Sequence, residues 1–178
     1  MRVLAICGSL RAASSNRAAL EAAIALAPQD MRIVLYDGLA ELPHFNPDQD
    51  DAPPARAQAL REAIGGCDGL LISSPEYAHG VAGSFKNALD WLVGSLEFPG
   101  TPVALINTSP RASLAQAQMR ETLKTMSANI VDAGSIDLPL MGRGLDGAGV
   151  AADPALAGAL RQALAAFGQA IAASRAAP

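Results

Sequence analysis

Polar side chains crowd the stretch that follows the first apolar run of the chain. This stretch reads CGSLRAASSN and leads into a helical pattern. A helix amino terminus carries unpaired backbone N–H groups and about half a positive charge, so it stabilises a phosphate. Side-chain donors accompany those groups: Ser9, Arg11, Ser14, Ser15 and Asn16. The stretch predicts an anion site, and the plainer alternative is a helix cap by Ser15 or Asn16 beside a solvated Arg11.

The glycine pattern of this stretch restricts the kind of phosphate. It lacks the Gly-Lys-Ser/Thr ending of a nucleotide triphosphate loop. Leu10 and Arg11 follow Gly8, so the glycines that let a backbone approach a pyrophosphate are missing. Asp37, at the end of the second apolar run, would suit a dinucleotide ribose, but without those glycines a dinucleotide site is disfavoured. The donors fit a terminal phosphate monoester.

A second loop follows the third apolar run and reads SSPEYAHGVAGSFKNALDW from Ser73. Pro75 lacks an N–H and stiffens the turn, which leaves the next backbone amides free to face an acceptor. Tyr77 offers an aromatic face, or is a half-buried loop residue. Glu76 contacts a ligand through its backbone or braces the loop, and His79 donates to a substrate or is solvated.

Two motifs in these loops carry a family resemblance. They are G-S-L-R-x-x-S-x-N from Gly8, and P-E-Y from Pro75 followed by G-x-x-K-N-A-x-D-W from Gly83. In order and spacing they resemble the NADPH-dependent FMN reductase family of flavodoxin-like proteins, which includes quinone, azo-dye and chromate reductases. The resemblance implies noncovalent FMN and NADPH or NADH as co-substrate.

The resemblance also implies site residues. The FMN phosphate would be held by Ser9, Arg11, Ser14, Ser15 and Asn16. The isoalloxazine ring would be bracketed by Pro75, Glu76, Tyr77 and Ala78, with Thr108 and Ser109 assigned to its other edge. Neither a catalytic side chain nor a metal site is expected, because a flavin performs the hydride transfer itself.

The chain must position these loops with alternating strands and helices. Apolar runs predict strands at Val3–Cys7, Arg32–Tyr36, Gly69–Ser73 and Pro102–Ile106, with a weaker fifth strand at Gly134–Leu138. Helical patterns lie between them, and Asp153 with Pro154 predicts the start of the last helix. The alternation predicts an α/β fold with a parallel sheet and helices on both faces. The family resemblance implies a flavodoxin-like three-layer sandwich whose five-stranded sheet has the order 2-1-3-4-5, with residues 1–178 as a single FMN-binding domain.

Composition narrows the partners and the compartment. The net charge of −4 is spread without a cluster of lysine or arginine, which argues against nucleic acid. No apolar run approaches the roughly 18 residues that span a bilayer. The start of the chain lacks the plan of a secretory signal, and Cys7 and Cys67 have neither metal-ligand nor disulfide spacing. These features predict a soluble cytoplasmic protein with reduced thiols.

The expected function is an NAD(P)H oxidoreductase that passes hydride through FMN to a small acceptor in a ping-pong mechanism. Quinones, flavins, azo compounds and chromate are the candidate acceptors. A flavodoxin-like electron carrier or flavin-binding sensor is the alternative, and a flavin-free dehydrogenase is a second. The resemblance implies a homodimer or homotetramer built through the Ser84–Leu92 helix, where Trp91 packs at an interface or in its own core.

Overall fold

Short apolar runs form a parallel sheet. The computed structural model describes residues 1–176. Its long strands are β1 (Arg2–Cys7), β2 (Arg32–Leu35), β3 (Gly69–Ser73) and β6 (Pro102–Asn107). With the short strand β7 (Asn129–Ile130) at one edge, the sheet has the order β2-β1-β3-β6-β7, and every strand pair in it is parallel. The flavodoxin-like fold and strand order predicted from the sequence are confirmed.

The fifth position of the sheet is divided between two short strands. Both β7 (Asn129–Ile130) and β8 (Ile136–Asp137) pair with β6, and a 3₁₀ turn (Asp132–Gly134) separates them. The sequence predicts one strand at Gly134–Leu138, which overlaps only β8. Gly134 lies against the last helix, where a Cβ would come within 2.8 Å of the Cβ of Phe167. The break between β7 and β8 therefore coincides with the close packing of the last helix. The apolar run in the sequence does not reveal this break.

Alternation along the strands divides the core into two layers. Val3 and Ala5 of β1 belong to one buried cluster, while Leu4 and Ile6 belong to the other. The first cluster is covered by α1 (Ser15–Ala25), α5 (Gly147–Ala152) and α6 (Pro154–Ala176). The second is covered by α2 (Ala55–Gly65), α3 (Gly83–Val93) and α4 (Ser113–Thr125). Helices on both faces place every parallel strand in a buried layer.

Trp91 is buried in the core of its own subunit, which decides between the two placements left open by the sequence. Its indole Nε1 donates to the Pro43 carbonyl at 2.8 Å, and its ring meets Phe45 edge-on at 5.1 Å between centroids. Its own carbonyl accepts from the Nε and Nη2 of Arg61 at 3.0 and 2.9 Å. Arg61 also bonds Asp50, and we call Arg61, Asp50 and Trp91 the Arg61 cluster.

A small ribbon stands beside the main sheet. The antiparallel strands β4 (Glu76–Tyr77) and β5 (Gly80–Val81) follow β3 directly. They form part of the loop that carries the Pro-Glu-Tyr motif.

None of the helices within residues 1–176 combines the length and apolar character needed to cross a bilayer.

Candidate functional site

One cavity gathers the loops at the carboxyl edge of the sheet. It has a volume of about 380 Å³, within the range of small-molecule sites. Its walls come from the loops that follow β1, β3 and β6, and from Met141 and Gly142 beyond β8. Parallel α/β sheets bind ligands at this edge, where strand order reverses between β1 and β3. The fold therefore brings distant loops to a single concave surface.

The loop after β1 leads into the first turn of α1 and contributes donors to the cavity. Ser14 is the N-cap of α1, and its Oγ accepts from the Arg17 amide at 3.5 Å, so the capping residue is Ser14 rather than Ser15 or Asn16. No acidic residue occupies the first turn. Ser9 is buried, and its Oγ accepts from the Arg11 amide at 3.3 Å. The free amides of α1 and these hydroxyls are donors that could hold an anion.

Arg11 is the basic residue of the loop after β1. Its side chain is exposed and lines the cavity, and within residues 1–176 it makes no ion pair. Arg17, in the first turn of α1, is already paired with Glu21 at 2.9 Å and with Asp37 at 3.6 Å. The guanidinium of Arg11 is therefore available to an anionic ligand, whereas Asp37 is engaged with a protein cation.

The Asn16 side chain is bonded within the fold through its oxygen and lines the cavity. It is only 6% exposed, and its Oδ1 accepts from the hydroxyls of Ser73 at 2.8 Å and Thr108 at 3.2 Å. These bonds join α1 to the ends of β3 and β6 beneath the cavity. The sequence assigns Asn16 to a phosphate, and in the fold its oxygen holds three elements together while its amide nitrogen remains a possible ligand donor.

Gly8 permits the close approach of the first two loops. Its amide donates to the Ser73 carbonyl at 2.8 Å. A Cβ on Gly8 would lie 2.3 Å from the Oγ and 2.6 Å from the Cβ of Ser74. Any other residue would push apart the loops that carry the two sequence motifs.

The loop after β3 supplies a second wall through Pro75, Glu76 and Tyr77. Tyr77 is 56% exposed and stands at the rim of the cavity. Ala78 does not line the cavity, because it lies at the tip of the turn between β4 and β5 with a φ of 49°. The family resemblance places Ala78 beside the flavin ring, and that role stays a prediction.

The Glu76 carboxylate is occupied by the protein. Its Oε2 accepts from the Ala115 amide at 2.8 Å, and its Oε1 lies 3.2 Å from Nδ1 of His79. The Ala115 amide, followed by His79, holds the pKa of Glu76 below its ordinary value. His79 is 81% exposed at its side chain and does not line the cavity.

The loop after β6 closes the third wall with Thr108 and Ser109. Thr108 is buried, and its hydroxyl is the one bonded to Asn16. The Ser109 amide donates to Oδ1 of Asn107 at 3.2 Å, and its Oγ accepts from the Arg111 amide at 3.3 Å. This loop is therefore shaped by its own short-range hydrogen bonds.

Sequence reasoning misses several residues of the wall. They are Ala13, Ser74, Asn107, Arg111, Ala112, Met141 and Gly142. Ala13 and Ser74 lie in or next to the two motifs, and the next three surround the predicted Thr108 and Ser109, so extending each prediction to its whole loop would have found all five. Met141 and Gly142 carry no such signal, because they follow a two-residue strand and begin a stretch that resembles a surface loop.

The two thiols stay outside this chemistry. Burial raises the pKa of Cys7, as it does that of Cys67, so neither favours a thiolate. Both cysteines are free. Across residues 1–176 no group of three His, Cys, Asp or Glu side chains is arranged to hold a metal ion.

Comparison with known proteins identifies relatives of the chain. Residues 1–140 match the family model described as NADPH-dependent FMN reductase. An NAD(P)H-dependent FMN reductase of Pseudomonas aeruginosa is 42% identical over 130 residues, which cover 69% of this chain and 69% of that protein. A 2-hydroxy-1,4-benzoquinone reductase of Burkholderia sp. is 36% identical over 126 residues, covering 67% of this chain and 68% of the relative.

A solved structure extends the likeness to nearly the whole chain. The flavoenzyme NAD(P)H:(acceptor) oxidoreductase FerB from Paracoccus denitrificans superposes with a TM-score of 0.81 at 27% identity. The match covers 97% of this chain and 98% of the other. The segment beyond residue 140, which lies outside the family match, is thus included in the structural likeness.

Proposed function

The chain belongs to the NADPH-dependent FMN reductase family and is a flavin-dependent NAD(P)H oxidoreductase, and we propose that the cavity at its sheet edge holds the FMN while a quinone is the electron acceptor. The observation that carries this proposal is the convergence of an unpaired cation, a helix amino terminus and a rigid turn on one cavity. FMN has a charged end and a ring end, and the cavity offers a different wall to each.

The phosphate end of FMN fits the loop after β1. Arg11 would contribute a charge-assisted bond, Ser14 and Ser15 would contribute hydroxyls, and the first amides of α1 would complete the shell. The absence of acidic residues from the first turn of α1 favours a dianion there. Ser9 and the amide nitrogen of Asn16 are the remaining donors close by.

The ring end fits between the loops after β3 and β6. Pro75, Glu76 and Tyr77 would lie along one edge, chiefly through their backbone, and Thr108 and Ser109 along the other. Two fixed loops would exclude water from the ring and orient it. When bound, FMN supplies the redox chemistry, because it accepts a hydride from NAD(P)H and passes two electrons to an acceptor.

We propose that NAD(P)H and the quinone occupy the same side of the cavity in turn. The sheet and its loops close the remaining sides, and half-exposed Tyr77 and Met141 flank the opening. Alternate occupancy predicts ping-pong kinetics. The likeness to a benzoquinone reductase favours a quinone over a flavin, an azo compound or chromate.

The test uses purified protein reconstituted with FMN. We expect NAD(P)H oxidation to depend on added 1,4-benzoquinone and to give parallel lines in double-reciprocal plots. The same assay with FMN, an azo dye or chromate as acceptor ranks the alternatives. Intersecting lines would exclude the shared side, and negligible turnover with quinone would exclude the proposed acceptor.

We also propose a cytoplasmic homodimer or homotetramer. The family resemblance implicates α3 in assembly. Val93, the last residue of this helix, and Leu96, just beyond it, have exposed apolar side chains. Sedimentation equilibrium over a range of concentrations tests the state, and a monomer at every concentration would refute it.

A further inference from the structure

The turn after β3 has an unusual backbone. Tyr77 pairs with Gly80 across a two-residue hairpin whose turn residues are Ala78 and His79. Both have positive φ angles, 49° and 62°. Hairpins of this kind normally place Asn or Gly at both positions, because a Cβ is unfavourable there. A strained turn persists only where neighbouring contacts hold it.

The start of α4 lacks a cap of its own. The N-cap position is Ala112, which has no side chain able to accept a hydrogen bond, and the first turn contains no acidic residue. The first amides of a helix need acceptors when they are not solvated. At the third residue of α4, Ala115, that acceptor is the Oε2 of Glu76 at 2.8 Å.

Glu76 thus joins the strained turn to the uncapped helix. Its other oxygen, Oε1, lies 3.2 Å from Nδ1 of His79, the second residue of the turn. The Glu76 side chain is only 13% exposed, so the two contacts hold it between the hairpin and α4. One carboxylate therefore serves as a helix cap and as a brace for a left-handed backbone segment.

Each of these two elements adjoins a segment that lines the cavity. Pro75 and Tyr77 flank Glu76 on one side, whereas Ser109 and Ala112 precede α4 on the other. We propose that Glu76 is a positioning residue for the flavin ring, because its carboxylate fixes the separation of the two loops between which the ring lies. This inference rests on the proposed FMN site and adds a role for the side chain of Glu76 beyond backbone contact.

The test compares FMN with riboflavin, which has the same ring and no phosphate. A defect in ring positioning must weaken both ligands equally, whereas a defect at the phosphate weakens FMN alone. We expect Glu76→Ala to raise the dissociation constants of both ligands by about tenfold, the cost of a lost hydrogen bond to a charged group. Titration below the melting temperature of the apoprotein separates this effect from loss of folded protein.

Conservative variants refine the test. Glu76→Gln keeps an oxygen that can accept from Ala115, so we expect it to retain affinity within about threefold of the wild type. Glu76→Asp keeps the charge but is one methylene shorter, so it should lose affinity as Glu76→Ala does. Glu121 is an exposed glutamate on α4. The Glu121→Ala variant is therefore the matched control and should bind both ligands normally.

The outcomes are distinguishable from failure of the proposed site. If the wild type binds neither ligand, the FMN site itself is wrong. If the wild type binds while a folded Glu76→Ala variant binds equally well, the positioning role is wrong. An equal loss in the Gln and Ala variants would also overturn it. Should the Ala variant fail to fold, the Asp and Gln pair decides the question.

Discussion

Arg61 on α2 and Arg11 in the loop after β1 have guanidinium groups with opposite surroundings. Arg61 is 9% exposed and donates to the Trp91 carbonyl and to both the carbonyl and the carboxylate of Asp50. Arg11 is exposed beside the cavity, and its guanidinium has no carboxylate partner within residues 1–176. The N–H groups of Arg61 are bonded to the protein, whereas those of Arg11 are available to a ligand.

From this difference we expect the two regions to contribute separately to stability and to binding. A buried arginine that donates to a buried carbonyl and to a partly buried carboxylate makes the fold dependent on it, because its removal leaves both acceptors without a donor. An exposed arginine adds little to the fold and costs little to maintain. The comparison therefore predicts that substitutions in the Arg61 cluster change unfolding, and that substitutions around Arg11 change FMN affinity.

Removal of Arg61 should have the largest effect on stability. Arg61→Leu leaves the Trp91 carbonyl and the Asp50 carboxylate without their donors, so the free energy of unfolding should fall by about 3 kcal/mol. Urea denaturation of the apoprotein measures this loss. FMN affinity, determined where the variant is folded, should stay within about twofold of the wild type. A large loss of affinity with normal stability would reverse the comparison.

Gly8→Ala tests the junction at which the ligand-binding loops meet. The new methyl group would collide with Ser74, so we expect a loss of about 2 kcal/mol in unfolding free energy together with weaker FMN binding. Gly158→Ala is the matched control. Nothing lies within 4 Å of its Cβ position on α6, so it should stabilise the protein by about 0.5–1 kcal/mol. A stable Gly8→Ala variant with normal FMN binding would show that the loops tolerate separation.

Arg11→Ala is the converse of the Arg61 substitution. It removes a charge-assisted contact, so FMN binding should weaken by about 2 kcal/mol, or roughly 30-fold. The free energy of unfolding of the apoprotein should change by less than about 0.5 kcal/mol. Isothermal titration gives the first value and urea denaturation the second, with the exposed Arg161→Ala on α6 as control. Unchanged FMN affinity would refute the assignment of Arg11.

Asp153 extends the comparison to a carboxylate whose oxygens are already hydrogen-bonded to the protein. Its substitution should have the smallest effect on stability. Its Oδ1 accepts from the amides of Leu156 and Ala155 at the start of α6, and Arg143 pairs with it. The Leu156 amide, followed by the Arg143 contact, lowers the pKa of Asp153 below its usual 3.8. A lowered native pKa stabilises the fold above the unfolded value, and this contribution is lost as pH falls through the native pKa.

The variant Asp153→Asn retains a capping oxygen but cannot ionise. We expect it to be slightly less stable than the wild type at neutral pH, and the gap should close as pH falls below about 3.8. Unfolding free energies measured by urea titration from neutral to acidic pH follow this gap. A gap that is constant with pH would mean that the charge of Asp153 does not contribute.

The sequence could predict the phosphate side of the cavity because its donors are contiguous. Arg11, Ser14 and Asn16 fall within six residues that run from the loop after β1 into the first turn of α1, so local rules place them together. The parallel sheet was equally accessible, since its long strands are uninterrupted apolar runs. The divided fifth strand was not, because its interruption depends on packing against Phe167.

The contacts that organise the ring side could not be predicted in the same way. Glu76 and Ala115 are 39 residues apart, and they meet only because β3 and β6 are neighbours in the sheet. The Asn16 to Thr108 bond spans 92 residues for a similar reason. Motif matching found Glu76 and Asn16 as residues of the site, but it could not show that their oxygens are bonded to the protein.

We propose that the loop from Ser9 to Asn16 binds the phosphate of FMN. The ratio of FMN to riboflavin affinity in the wild-type apoprotein tests this directly, because the two ligands differ only by that phosphate. We expect FMN to bind at least about tenfold more tightly than riboflavin, and increasing salt to reduce the ratio. Equal affinity for both ligands at low ionic strength would show that this loop does not bind the phosphate.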